Sequence, residues 1–245
     1  MARALLLCSL TLYSLSSVLI PVDGQTEWKN GSLQGQMFSV MNAAEVRFRS
    51  DVLSNVTGLT VCLRILTENE YQLQLTFENG TYEVSSSKYS DDYYLDIYGR
   101  RVNFNMYRMV PQVFPQVWPW KNRCFTWDSN SGMAQLWYDS RLSVRKGLAR
   151  GQVFSGQAEL KLYRFEGQVT DVYIWDSALS VRDLYFYLST RNRFPGGNIL
   201  DWRQIEYIST GYVLLEPSLY NVFDKTTKRR REKCGHIQKK RRRDN

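Results

Sequence analysis

The sequence predicts an all-β domain: a two-sheet antiparallel sandwich with one helical segment. Three observations carry that prediction. Short runs of alternating apolar and polar residues follow one another from Gln25 to about Phe223. Examples are LTVCLRIL at 59–66, YQLQLTF at 71–77, YYLDIYG at 93–99, AQLWYD at 134–139 and QVTDVYIW at 168–175. A period of two is what a strand with one buried face needs. Gly, Asn, Asp and Ser punctuate the runs at intervals suited to a sandwich. Finally, 43% of the 245 residues are hydrophobic and 14% aromatic, enough for one sizeable core. The strand pattern alone fits an immunoglobulin-like topology and a jelly roll equally well.

The first element is a leader. Met1–Gly24 has a basic start at Arg3, an apolar stretch around Leu5–Ile20, and Val22 and Gly24 at the −3 and −1 positions of a cleavage site. This reads as a secretory signal peptide. Ser9, Thr11, Ser14, Ser16 and Ser17 interrupt the apolar run, which argues against a membrane anchor. No later stretch is apolar enough to span a bilayer. The expected location is therefore extracellular, with a domain over 25–223 and a basic tail over 224–245. Cys8 leaves with the leader, so Cys62, Cys124 and Cys234 remain in an oxidising compartment. An odd number leaves one cysteine free or pairing between chains.

Residues 124–137 read as a β-hairpin. Phe125, Trp127, Met133, Leu136 and Trp137 alternate with polar residues, and Asp128–Gly132 forms the turn. SVRDLYFYLST at 180–190 breaks the strand rhythm. Ser180 is placed to cap, Asp183 lies in the first turn, and Leu184, Tyr187 and Leu188 fall at helical spacing. A further aromatic strand is the competing reading.

Net charge is +8, but residues 225–245 alone hold eleven Lys or Arg against two acids, so 1–224 is nearly neutral. The tail has almost no apolar residues with which to build a core. Lys228, Arg229, Arg230, Arg231, Lys239, Lys240, Arg241, Arg242 and Arg243 form two basic clusters suited to polyanions: heparan sulfate, nucleic acid or anionic bacterial surfaces. Its spacing also resembles a bipartite nuclear signal, which a secreted chain would not expose to import. An extension with no selected role is a third reading.

Catalysis is poorly provided for. His236, in the tail, is the only histidine, so the body has none for a triad, a general base or a common zinc site. Glu159, Glu166 and Asp171 are not paired by any motif of carboxylate catalysis, and solvated strand acids are the simpler reading. The chain is expected not to be an enzyme. Three Asn-x-Ser/Thr sequons, at Asn30, Asn55 and Asn79, sit in polar turn-like segments and are candidate glycosylation sites.

Cys-x-Thr-Trp-x-Ser at 124–129 resembles the signature of the pentraxins, the family of C-reactive protein and serum amyloid P component. The resemblance continues through Gly132 to Leu148, and recurs in DVYIWDSALS at 171–180 and NILDWRQIEYISTGYVLLEP at 198–217. Asn122 stands where the family has His. The resemblance implies a flattened, lectin-like jelly roll with its single helix near 180–190. It also implies a Cys62–Cys124 disulfide, which would staple two strands across the core. Calcium is the family's ion, bound by an Asp-Asn pair and an acidic loop, and oxygen-rich clusters are what that ion requires. Here Asn79-Gly80-Thr81 occupies the position of the pair. The acidic loop is shorter by about a dozen residues before the Phe165–Trp175 segment by direct alignment. No metal ligand therefore matches residue by residue. Ser85-Ser86-Ser87 occupies the region of the family's apolar ligand patch, and Glu83, Asp91 and Asp92 are the acids able to approach that face. The implied function is a secreted pattern-recognition protein of innate immunity. It would act as a homo-oligomer, a pentamer by family habit, on microbial or damaged-cell surfaces. The alternative is a structural or assembly protein that has lost calcium-dependent binding.

Overall fold

The computed structural model describes residues 27–87, 92–105, 120–139, 141–189 and 194–219. With strands numbered along the chain, one sheet has eight. In spatial order they are β1 (Lys29–Gly31), β16 (Ile205–Thr210), β3 (Glu45–Val56), β13 (Phe154–Tyr163), β5 (Gln72–Phe77), β6 (Gly80–Ser86), β7 (Asp92–Ile97) and β8 (Arg100–Asn105). The other sheet runs β11 (Arg141–Leu142), β10 (Met133–Tyr138), β9 (Lys121–Asp128), β4 (Gly58–Leu66), β14 (Gly167–Trp175), β2 (Gln36–Val40) and β17 (Val213–Pro217). Two short strands complete it: β12 (Lys146–Gly147) beside β10 and β15 (Leu200–Asp201) beside β14. Among the described residues every strand pairing is antiparallel, the arrangement of a jelly-roll sandwich.

The alternation in the sequence becomes the two sides of each sheet. In β3, Val46 and Phe48 are buried while Glu45, Arg47 and Arg49 are half-exposed on the outer face. In β5–β7 the inward residues Leu73, Leu75, Tyr82, Val84, Leu95 and Ile97 are fully buried. Burying one such aliphatic or Phe side chain stabilises by roughly 1.5–3 kcal/mol relative to exposure. Strand β4 differs: it is buried from Gly58 through Ile65 on both faces. Its near-continuous apolar run suits a central strand, and the helix covers its outer side.

That helix, α1 (Val181–Ser189), starts where its cap predicts. Ser180 Oγ accepts from the Asp183 N–H at 3.2 Å and donates to the Asp183 carboxylate at 2.7 Å, satisfying an otherwise orphan donor. Its buried side is Leu184 and Tyr187, with the Tyr187 ring 5.9 Å from Tyr173 and 6.3 Å from Trp175. The helix therefore lies on the outside of the nine-stranded sheet and leaves the other sheet's outer face uncovered by it.

The hairpin at β9–β10 forms as its sequence requires. Gly132, at φ 67, takes the left-handed position after the turn, and Asp128 receives the Ser131 backbone N–H at 2.9 Å. Cys62 and Cys124 are disulfide-bonded, fully buried and directly opposite in register. The expectation of a bridge across the core is corrected here. Strands β4 and β9 are neighbours, so the bond ties adjacent strands of one sheet.

Candidate functional site

The outer face of the eight-stranded sheet is built from two cross-strand rows. Lys161, Gln74, Glu83, Asp96 and Arg101 stand opposite one another on β13, β5, β6, β7 and β8. Tyr163, Gln72, Ser85, Tyr94 and Asn103 form the next row. Strand alternation sends all ten outward, because the residues between them are buried or, at Val102, partly buried against the core. Five strands at about 4.8 Å spacing give each row a reach of roughly 19 Å. Lys161 Nζ sits 4.4 Å from the Tyr163 ring centroid, and Arg101 pairs with Asp96 at 3.5 Å while lying 5.8 Å from the Tyr94 ring. Amides, a hydroxyl, carboxylates, cations and two tyrosines are thus held on one rigid surface. Such a set can donate to and accept from a hydroxyl-rich or mixed-charge ligand.

The family's calcium positions do not converge on this surface. Asn79, in the β5–β6 turn, donates from Nδ2 to the Val153 carbonyl at 2.8 Å and accepts at Oδ1 from the Ser155 N–H at 2.9 Å. Its amide is committed to closing the hairpin onto the start of β13. The β13–β14 turn is tight, with Arg164 at φ 53 and Gly167 at φ 139. A Cβ at Gly167 would lie 2.1 Å from the Leu66 carbonyl oxygen, so only glycine fits. Tyr163 pairs with Gln72 and Glu159 with Thr76, which places the two turns at opposite ends of the β5–β13 pair. Glu166, in the second turn, accepts from Asn69 at 2.9 Å, and Glu70 faces Arg164 at 3.9 Å. Among the described residues, no group of three or more His, Cys, Asp or Glu is arranged to hold a metal ion. The calcium arrangement implied by the resemblance is not formed among the described residues.

Other expected residues fall as follows. Glu83 and Ser85 lie on the outer face, where Ser85 Oγ donates to Glu83 at 3.0 Å. Ser86 turns instead to the Tyr71 backbone, accepting its N–H at 2.9 Å. Asp92 begins β7 opposite Asn105, and Asp91 lies outside the described residues.

Two buried arginines brace the sandwich. Arg64, on β4, faces α1: Nη2 donates to the Tyr187 carbonyl at 2.7 Å, Nη1 lies 3.2 Å from Asp171, and the guanidinium is 4.9 Å from the Tyr187 ring. A bulge in β14 between Thr170 and Tyr173, with Asp171 at φ 52, turns that carboxylate toward Arg64. Arg123, on β9, points between the sheets. Nε donates to the Tyr93 hydroxyl and Nη1 to the Asn122 carbonyl, both at 2.9 Å. Burial works against its charge, but Tyr93, Tyr138 and Asp139 outweigh that and hold its pKa above the usual arginine value.

A polar cleft of about 350 Å³ opens at the β1 edge, lined by Asn30, Arg49, Asp51, Asn198, Gln204 and Glu206 among others.

Comparison with known proteins decides the family. A family model described as the pentaxin family matches residues 42–217, well over half of the chain. The chain belongs to the pentraxin family. C-reactive protein of Sus scrofa is 27% identical over 241 residues, covering 87% of this pentraxin and 97% of that protein. Serum amyloid P-component of Homo sapiens is 31% identical over 112 residues, 40% of this chain and 49% of the relative. In the matches to serum amyloid P components and to mucosal pentraxin of Bos taurus, the chain spans about half of the relatives' length. In fold, it resembles the heptameric SAP-like pentraxin of Limulus polyphemus, with a TM-score of 0.62, 16% identity, and coverage of 77% of this chain and 97% of that one.

The sequons separate in this pentraxin: Asn30 and Asn55 are exposed, on β1 and at the end of β3, while Asn79 carries the clamp described above. Lys228–Arg231, Lys239–Arg243, Cys234 and the leader lie outside the described residues. Sequence reasoning missed Arg64, Arg123 and the β1-edge cleft. The arginines had a signal: each is a charge inside an otherwise apolar strand, LTVCLRIL and NRCFTW. The cleft had none, because it joins residues 30, 49–51 and 197–206 from distant parts of the chain.

Proposed function

We propose that this pentraxin is a secreted, non-enzymatic recognition protein of innate immunity. It assembles as a cyclic homo-oligomer and engages microbial or damaged-cell surfaces through the outer face of the eight-stranded sheet, without the family's calcium arrangement. The observation that carries the reading is the pair of five-residue polar rows on the sheet face that the helix leaves open. A ring of subunits, five by family habit, sets its faces on one side. Weak contacts then combine through effective concentration, raising avidity by about 10²–10⁴. The tail clusters Lys228–Arg231 and Lys239–Arg243 add affinity for heparan sulfate or other polyanions.

The second reading, a structural or assembly protein on the same fold, is favoured by one observation: Asn79, at a family ligand position, holds β13 instead. Co-sedimentation of the secreted oligomer with a panel of bacteria and apoptotic cells, in calcium and in EDTA, separates the two. The recognition reading expects binding that survives EDTA and is lost in Tyr94→Ala with Lys161→Glu. A ring that sediments with no surface supports the assembly reading.

A further inference from the structure

We propose that Asn30 carries an N-linked glycan whose first sugar is seated in the adjacent cleft beside Trp28, and that Asn79 carries no glycan. The proposal rests on the secretory reading of Met1–Gly24. Sequence alone ranks the two sequons together. Each has an aromatic residue two positions earlier, Trp28-Lys29-Asn30 and Phe77-Glu78-Asn79. In an extended segment such residues share a face, so either ring is a candidate platform for the apolar side of a sugar.

The surroundings then separate them. At the second sequon, Phe77 is 3% exposed and its ring stacks on Phe154 at 4.6 Å, inside the core. The Asn79 amide is bound at both ends to the backbone groups of Val153 and Ser155 that flank Phe154. Two bonds to groups flanking one residue use the amide hydrogen on the oxygen side. In a trans amide, that position is where the sugar carbon would be attached. A glycan at Asn79 therefore excludes the clamp, and the folded chain has the clamp.

Both asparagines are exposed, so the difference lies in the ring and in what holds the amide. Asn30 is exposed, and its register partner is Glu206, whose partner in turn is Arg49. The Arg49 guanidinium lies 4.4 Å from the Trp28 ring centroid and pairs with Glu206, so the half-exposed indole is held against a residue of the cleft's own lining. Asn30 itself lines the cleft of about 350 Å³, together with Asp51, Asn198 and Gln204. That volume is at the small end of the ~300–1,000 Å³ typical of small-molecule sites, suited to one sugar ring. N-acetylglucosamine offers an apolar face for the indole and hydroxyls and an amide for this lining. Asn55, exposed at φ 55, is preceded at that spacing by Leu53 and does not line this cleft, so a sugar there is expected to stand free.

Glycopeptide mapping of the full chain from a glycosylating host, with and without native digestion by a peptide N-glycosidase, tests the assignment. Asn30 and Asn55 are expected to be occupied and Asn79 unmodified. In the native protein, release from Asn30 is expected to be about tenfold slower than after denaturation, equivalent to roughly 1.4 kcal/mol of sugar–cleft contact. Asn55 is expected to show no such gap. Trp28→Ala should remove the protection. If that variant is not recovered, Gln204→Trp, which fills the cleft from an exposed position, should do the same. Occupancy of Asn79, an empty Asn30 beside an occupied Asn55, or equal release from Asn30 and Asn55 overturns the proposal. A chain with no glycan at any sequon contradicts the secretory reading and the proposal with it.

Discussion

The guanidinium carbon of Arg123 lies 3.2 Å from the centroid of the Tyr138 ring, and both side chains are enclosed between or within the sheets. The charge is stabilised there by the ring face, by the Tyr93 hydroxyl and by Asp139 at 3.6 Å. A buried ionic cluster of this kind does not by itself imply stability, since well-packed apolar replacements are often neutral or better.

Arg123→Ala and Arg123→Met should therefore diverge. The alanine variant leaves a cavity and removes the Arg123 donor from the Tyr93 hydroxyl, and is expected to cost about 3 kcal/mol. The methionine variant fills the space and is expected to lie within about 1 kcal/mol of the parent. Chemical denaturation measures both. Equal, large losses would mean the charge itself is indispensable.

A second prediction concerns pH. The hydroxyl and backbone N–H of Ser131 both donate to the Asp128 carboxylate, holding its pKa below the usual value. A depressed folded-state pKa contributes stability that is present above the unfolded value, near 3.9, and lost as pH falls through the folded one. Asp128→Asn should thus be less stable than the parent at neutral pH, and the difference should shrink below about pH 4. Thermal midpoints from pH 2 to 6 check this. A gap that stays constant would assign the loss to the turn's shape instead.

The Cys62–Cys124 bond closes a separation of 62 residues. In the chain-entropy model its removal costs about 4 kcal/mol. Replacing both cysteines by alanine should give a loss of that order by denaturation, and non-reducing peptide maps should link Cys62 to Cys124 and not to Cys234. A loss below about 1 kcal/mol would mean that the two paired strands already restrict the unfolded chain.

Much of this fold was legible in the sequence because its signals are local. The hairpin at 124–137 shows its period, its turn and its left-handed Gly132, and Ser180 with Asp183 marks the helix start. The order of strands was not legible, because pairings such as β16 with β3 or β14 with β4 join distant segments by packing. For the same reason the disulfide was expected to cross the core, when it joins neighbours. The site was legible only in part. Glu83 and Ser85 were identified, but Lys161, Tyr163 and Tyr94 join them through cross-strand register alone.

For the tail, truncation after Phe223 should abolish heparin retention at low salt and leave the oligomer unchanged in size. On duplex DNA the full chain should lose affinity at about 0.9 log units per phosphate contact for each tenfold rise in salt. Elution of the truncated protein at the parent's salt concentration would assign polyanion binding to the body.

The most direct test of a calcium-independent face is a calcium titration of the full-length protein by calorimetry. The account predicts no site tighter than the millimolar range, because Asn79 is tied to Val153 and Ser155 and the 164–167 turn lies at the far end of β13. Two micromolar sites per subunit would contradict it, and would place the family's ligand chemistry back on this chain.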